Sequence, residues 1–209
     1  MPEVYNKAFI PLESNPQVFN ELITALGASP ALHFQDILTL DDPAFLPSKI
    51  LALILVFPTT PTYEARLTAE DAGAKDWMVE HDEEDEDAVW FKQTINNASP
   101  MDPAQAAMVL EGSQELEDAY AAIATKGDTT APQSAEEEVY FHYICFVKSP
   151  DTGHLYELDG DRKGPVDRGI PNEEEKVDLG PKSVDIVRNF IQQGRESIGF
   201  SLLALTEGA

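Results

Sequence analysis

His154 and Asp159 stand five residues apart in the stretch Gly153-His154-Leu155-Tyr156-Glu157-Leu158-Asp159-Gly160. An imidazole oriented by a carboxylate is one half of a general-base device: the carboxylate fixes the tautomer and steadies the imidazolium that forms on proton uptake. On a short extended segment and the turn that glycine closes, the two side chains are expected to meet side by side. Upstream, Lys92-Gln93-Thr94-Ile95-Asn96-Asn97-Ala98 reads as the approach to a nucleophile, yet Ser99 and Pro100 follow it and no cysteine is near. Cys145, the sole cysteine, lies between Ile144 and Phe146 and reads as a buried packing residue. His33 and His142 sit in strand patterns and read as packing or hydrogen-bonding groups; His81, in an acidic run, reads as solvated. No metal-ligand spacing, phosphate loop or nucleotide fingerprint is present, and no cofactor is expected.

The elements that must carry these residues are legible in outline. Asn15 or Ser14 can cap a helix that Pro16 opens, Val18, Phe19, Leu22, Ile23 and Leu26 give it an apolar face, and Gly27 stops it. His33 to Leu38 reads as a short strand. The apolar run Ile50 to Phe57, ended by Pro58, predicts a central strand buried on both faces. Tyr63 to Val79 is weakly helical, and Val89 to Ile95 is extended. Asp102-Pro103-Ala104-Gln105 is a capping box for a helix expected to run through Ile123 to a stop at Gly127. Val139 to Lys148 and His154 to Leu158 predict a strand pair joined by a turn over Ser149 to Gly153. An amphipathic helix over Val184 to Gln192 and a strand over Ile198 to Leu205 complete an irregular alternation, which points to an α+β fold.

The chain has 209 residues, 43% of them hydrophobic, which suits a single domain with its own core. Its longest apolar run is too short to span a bilayer. With one cysteine no intrachain disulfide forms, which fits the cytoplasm, or the nucleus as a second compartment. Fourteen basic against 38 acidic residues give a net charge of −24. Such a surface repels nucleic acid and anionic membrane. It either keeps the chain soluble or suits a basic partner, and it is concentrated in the runs Glu80 to Asp87 and Glu136 to Glu138.

Taken with Phe9-Ile10-Pro11-Leu12-Glu13-Ser14-Asn15-Pro16, Phe57-Pro58, Leu116-Glu117, Lys126-Gly127-Asp128-Thr129-Thr130-Ala131-Pro132, Phe141-His142-Tyr143 and the block Gly153 to Pro165, these residues resemble the ubiquitin C-terminal hydrolases, papain-like cysteine proteases. The resemblance runs over nearly the whole chain. It implies a papain-like fold with a central, mostly antiparallel sheet flanked by helices. It implies that Gln93 supplies the oxyanion hole, His154 is the general base and Asp159 orients it. Asp128 to Glu138 matches the loop that crosses over the family's active site, and the implied partner is ubiquitin or a ubiquitin-like protein, bound by a monomer.

The family's nucleophilic cysteine follows the step that ends here at Ala98, and it begins a buried helix. In this sequence Ser99 occupies that place and Ser99-Pro100-Met101-Asp102-Pro103 matches a segment found further along in the family, so several tens of residues are missing between 98 and 99. An alcohol is much harder to deprotonate than a thiol, so Ser99 is not expected to replace it. The resemblance therefore implies a deubiquitinase by lineage that is inactive in this form. The alternatives are a non-catalytic, ubiquitin-binding regulatory isoform and a mis-spliced gene product.

Overall fold

The computed structural model describes residues 9–72, 103–132, 134, 140–169, 178–193 and 199–208. Gln93, Ser99, His81 and both acidic runs lie outside them. The chain divides into two compact units, Met1–Pro30 with Met78–Val139, and Ala31–Trp77 with Tyr140–Ala209.

In the first unit, helix α1 spans Pro16–Ala25. Asn15 takes an extended backbone and its side chain accepts from the Gln17 N–H, while Gly27 closes the helix at φ +81°. The single long helix expected after Asp102 is two helices, α3 over Pro103–Glu111 and α4 over Gln114–Ala121. The break has a local cause. Gly112 contributes little to helix propagation, and the Ser113 hydroxyl accepts from the Leu116 N–H, which starts a new helix. Downstream, the Glu13 carboxylate accepts from the backbone N–H of Asp128 (3.2 Å) and Thr129 (2.7 Å) and from the Thr129 hydroxyl. A Cβ on Gly127 would run into the Glu13 carboxylate, so a larger residue there would have to displace the side chain that holds this loop.

The second unit holds a six-stranded sheet in the order β1-β6-β2-β3-β4-β5, with every pair antiparallel. The strands are β1 Leu32–Asp36, β2 Ile50–Pro58, β3 Phe141–Lys148, β4 Leu155–Asp159, β5 Val166–Asp167 and β6 Ser201–Glu207. The apolar run Ile50 to Phe57 is an interior strand, between β6 and β3, as its lack of polar alternation requires. Helix α2, Pro61–Asp71, is capped by the Thr60 side chain, which accepts from the Tyr63 N–H. Helix α5, Pro181–Gln193, begins three residues before the expected Val184, with proline in its first turn. One face of the sheet, with Leu53, Leu55, Phe146, Ile144 and Leu202, packs on Tyr63 and Leu67 of α2 and on Val184, Val187 and Phe190 of α5. This is the unit's core, and the candidate site lies at its margin.

Candidate functional site

Strand side chains alternate between faces with a period of two. In the β3–β4 ladder Ile144 stands opposite Asp159 and Phe146 opposite Glu157. His142 shares the parity of Ile144 and Phe146, so it projects from the core face as the diagonal neighbour of Asp159. There its Nε2 lies 2.7 Å from Asp159 Oδ1. A carboxylate only accepts, so Nε2 carries the proton and Nδ1 is the basic nitrogen of the neutral ring.

The expected contact between His154 and Asp159 is not made. Five is an odd separation, so the two side chains leave opposite faces of the sheet. His154 shares the second face with Tyr156 and pairs instead with Asp167, Nδ1 to Oδ2 at 2.7 Å. Asp159 is brought to a histidine, but to His142, which the sequence marks only as a packing or hydrogen-bonding group. The alternation Ile144, Phe146, Lys148 against Leu155, Glu157, Asp159 was the signal that could have found it.

Asp159 is further held by two donors. Its Oδ2 accepts from the Tyr63 hydroxyl, and its Oδ1 from the Asp161 N–H at 2.9 Å. Burial opposes its charge, but the His142 and Tyr63 hydrogen bonds outweigh burial and hold the carboxyl below the usual carboxylate range. Tyr63 is pushed well above an ordinary phenol, by burial first and by the Asp159 hydrogen bond second, so it stays a donor. On His142, burial disfavours the imidazolium, but the hydrogen bond and charge of Asp159, with Asp161 Oδ2 at 3.6 Å from Nδ1, lift it above its ordinary value. Phe57, opposite His142 in the β2–β3 ladder, meets the ring edge-on with centroids 5.9 Å apart.

The loop after Asp159 is clamped from below. Buried Glu157 accepts from Arg168 (2.6 and 2.9 Å) and Arg162, and Arg162 reaches Glu70 (2.8 Å) and Asp71 (2.9 Å) at the end of α2. Helix α2 thus supplies Tyr63 to Asp159 from its first turn and fixes the same loop from its last. His142, Asp159 and Asp161 each offer one ligand atom within 4.8 Å of the others. Since Asp159 faces Nε2 and Asp161 faces Nδ1, the set does not converge on a single ion.

Cys145 lies three residues from His142, again an odd separation, and projects from the second face opposite Leu158. Burial pushes its thiol up to about 11. It meets neither requirement of an activated nucleophile, contact with a base and a lowered pKa.

An imidazole oriented by a buried carboxylate, here on an antiparallel sheet flanked by helices, is the arrangement that a general base requires. The profile of "Ubiquitin carboxyl-terminal hydrolase, family 1" matches residues 9–101 and 98–192, and the chain belongs to that family. It is 27% identical to ubiquitin carboxyl-terminal hydrolase 3 of Arabidopsis thaliana, over 97% of this chain and 95% of the relative. That alignment runs over 238 positions, longer than the chain's 209 residues, so it opens gaps in this chain. A Drosophila melanogaster ubiquitin carboxyl-terminal hydrolase is 28% identical over 94% of this chain and 96% of its own. Human isozyme L1 is 26% identical over 95% and 98%. Among solved structures, the Trichinella spiralis UCH37 catalytic domain bound to ubiquitin vinyl methyl ester superposes with a TM-score of 0.70 at 19% identity, covering 97% of both chains. That likeness shows the α+β fold.

Proposed function

We infer that this chain binds ubiquitin, or a ubiquitin-like protein, and does not hydrolyse it. The observation that carries the reading is the parity of β3. The oriented imidazole of His142 projects from one face, and the only thiol of the chain projects from the other. In this reading His142, not His154, is the general base of the lineage and Asp159 its orienter, with Nδ1 the proton-accepting atom. Gln93 retains the part of oxyanion donor. Ser99 is not a nucleophile, because a serine hydroxyl at its ordinary pKa needs a base in hydrogen-bond contact as well as a helix to aim it.

The two matched segments meet at residues 98–101, and this supports the loss of a block between Ala98 and Ser99. The ubiquitin adduct on the Trichinella relative supports the choice of partner, and so does the acidic charge of the chain.

Two measurements test the reading together. Calorimetry is expected to show saturable binding of ubiquitin. Release of a fluorophore from the ubiquitin C-terminus is expected to stay at the buffer rate, for the chain and for His142→Ala alike. Release abolished by His142→Ala would overturn the inactive part, and absence of saturable binding by a folded sample would overturn the partner. Peptide mass spectrometry across Lys92 to Met108 reads the junction itself. A cysteine-bearing insert after Ala98 in the cellular protein would assign this form to a defective transcript.

A further inference from the structure

A cavity of about 420 Å³ opens on the core face of the second unit, between β2, β6, α2 and α5. Ile37, Leu55, Phe57, Phe190 and Leu202 wall it, and two large apolar side chains stand exposed at its lining, Leu38 (89%) and Phe200 (52%). Its size falls in the range of small-molecule sites, which join an apolar wall to a few fixed polar groups. The polar group here is Arg66. Its guanidinium lies 4.4 Å from the centroid of the Phe190 ring and 5.3 Å from that of Tyr63. The closest carboxylate oxygen, Glu70 Oε1, is 3.9 Å from Nε, beyond hydrogen-bond reach, and the buried Nε has no hydrogen-bond partner among the described residues.

The other arginine of the lining, Arg188, also has a buried Nε without a hydrogen-bond partner among the described residues. Its other nitrogens, however, donate to the Leu40 carbonyl and to Asp185, and Asp41 of the cavity wall lies 3.4 Å from that Nε and balances its charge. Arg66 is therefore a cation held over an aromatic wall, with its buried Nε unfilled, in a chain of net charge −24. A buried donor without a partner is costly, and a planar carboxylate is the group that a guanidinium satisfies with two parallel hydrogen bonds.

We propose that this cavity binds a small amphipathic carboxylate, an aliphatic tail lying along Leu55, Phe57 and Leu202 with its head group on Arg66. Phe57 and Tyr63 also touch the His142–Asp159 pair, but the proposal does not depend on the ubiquitin reading, since Arg66, Leu55 and Leu202 take no part in that pair.

Decanoate is the probe and decan-1-ol its neutral counterpart, titrated into the full chain by calorimetry with methyl resonances of Ile37, Leu55 and Leu202 followed in parallel. Decanoate is expected to saturate one site, to shift those methyls and to bind at least ten-fold more tightly than the alcohol. Arg66→Met keeps an apolar stem over Phe190 and is expected to bring decanoate down to the affinity of the alcohol. Leu38→Glu changes an exposed side chain, leaves folding intact and sets a like charge at the mouth. It is expected to weaken decanoate and spare the alcohol, and it decides the matter if Arg66→Met does not fold. Absence of saturable decanoate binding, equal affinity for the alcohol, or indifference to Leu38→Glu would each overturn the proposal.

Discussion

Two imidazole–carboxylate pairs lie along the β3–β4–β5 meander, His142 with Asp159 and His154 with Asp167, both at 2.7 Å. Distance does not tell them apart; surroundings do. The Asp159 side chain is fully buried (0% exposed), takes a second hydrogen bond from Tyr63 and a third from the Asp161 backbone, and faces an imidazole edged by Phe57. Asp167 is about half exposed, and its other oxygen only caps the turn at Gly169. The first pair is over-determined and so keeps one geometry. The second is a surface ion pair of the sort that water and salt weaken. A histidine near an aspartate becomes a candidate base when a third group fixes the aspartate and the protein excludes water.

The sharpest way to break this contrast is to remove each carboxylate. Asp159→Ala leaves a buried imidazole and a buried phenol without their acceptor and is expected to cost about 3 kcal/mol in urea unfolding. Asp167→Ala is expected to cost under about 1 kcal/mol. Equal losses would show that the two pairs are energetically alike. Next, Tyr63→Phe removes one donor and should cost about 1 kcal/mol, while raising the Asp159 pKa read from its carboxyl carbon by NMR. An unchanged Asp159 titration would detach Tyr63 from the pair.

Stability against pH sharpens the same point. His142 titrates above its ordinary 6.5, so its contribution is complete below pH 6.5 and disappears as pH rises through the folded value. Asp159 titrates below its ordinary 3.8, so its contribution is complete above that pH and is lost as pH falls through the folded value. Together they predict a plateau between pH 3.8 and 6.5 with a decline above it, and His142→Gln should flatten the upper decline. The smallest effect is on the imidazole itself. Its NMR midpoint should fall in Asp161→Asn and fall further in Asp159→Asn, since Asp161 is exposed and screened while Asp159 is not.

Much of the fold could be read ahead of the structure because its signals are local. Asn15, Pro16 and Gly27 mark both ends of α1, and the unbroken run from Ile50 to Phe57 admits only an interior strand. The helix break at Gly112-Ser113 was missed because the apolar periodicity continues across it, while the glycine and the capping hydroxyl that interrupt the backbone weigh little in a periodicity count. At the site, Asp159 was found and its partner was not. The motif around His154 invites a contact within one strand, whereas the pair that forms joins two strands and follows from register. Tyr63 contributes from 96 residues away in the chain. No pattern near Asp159 points to it, because what brings it there is the packing of α2 on the sheet.

The turn from Ser149 to Gly153 has a consequence for how such a chain drifts through evolution. Ser149 bonds back to His154 and Gly153 returns at φ +70°, which together set the register of β3 on β4. A slip of that register by one residue would carry Asp159 to the far side of the sheet, beside Cys145 and away from His142. Changes in the turn are therefore compatible with the pair only where the extra or missing residue is absorbed within the loop and the pairing of β3 with β4 is kept.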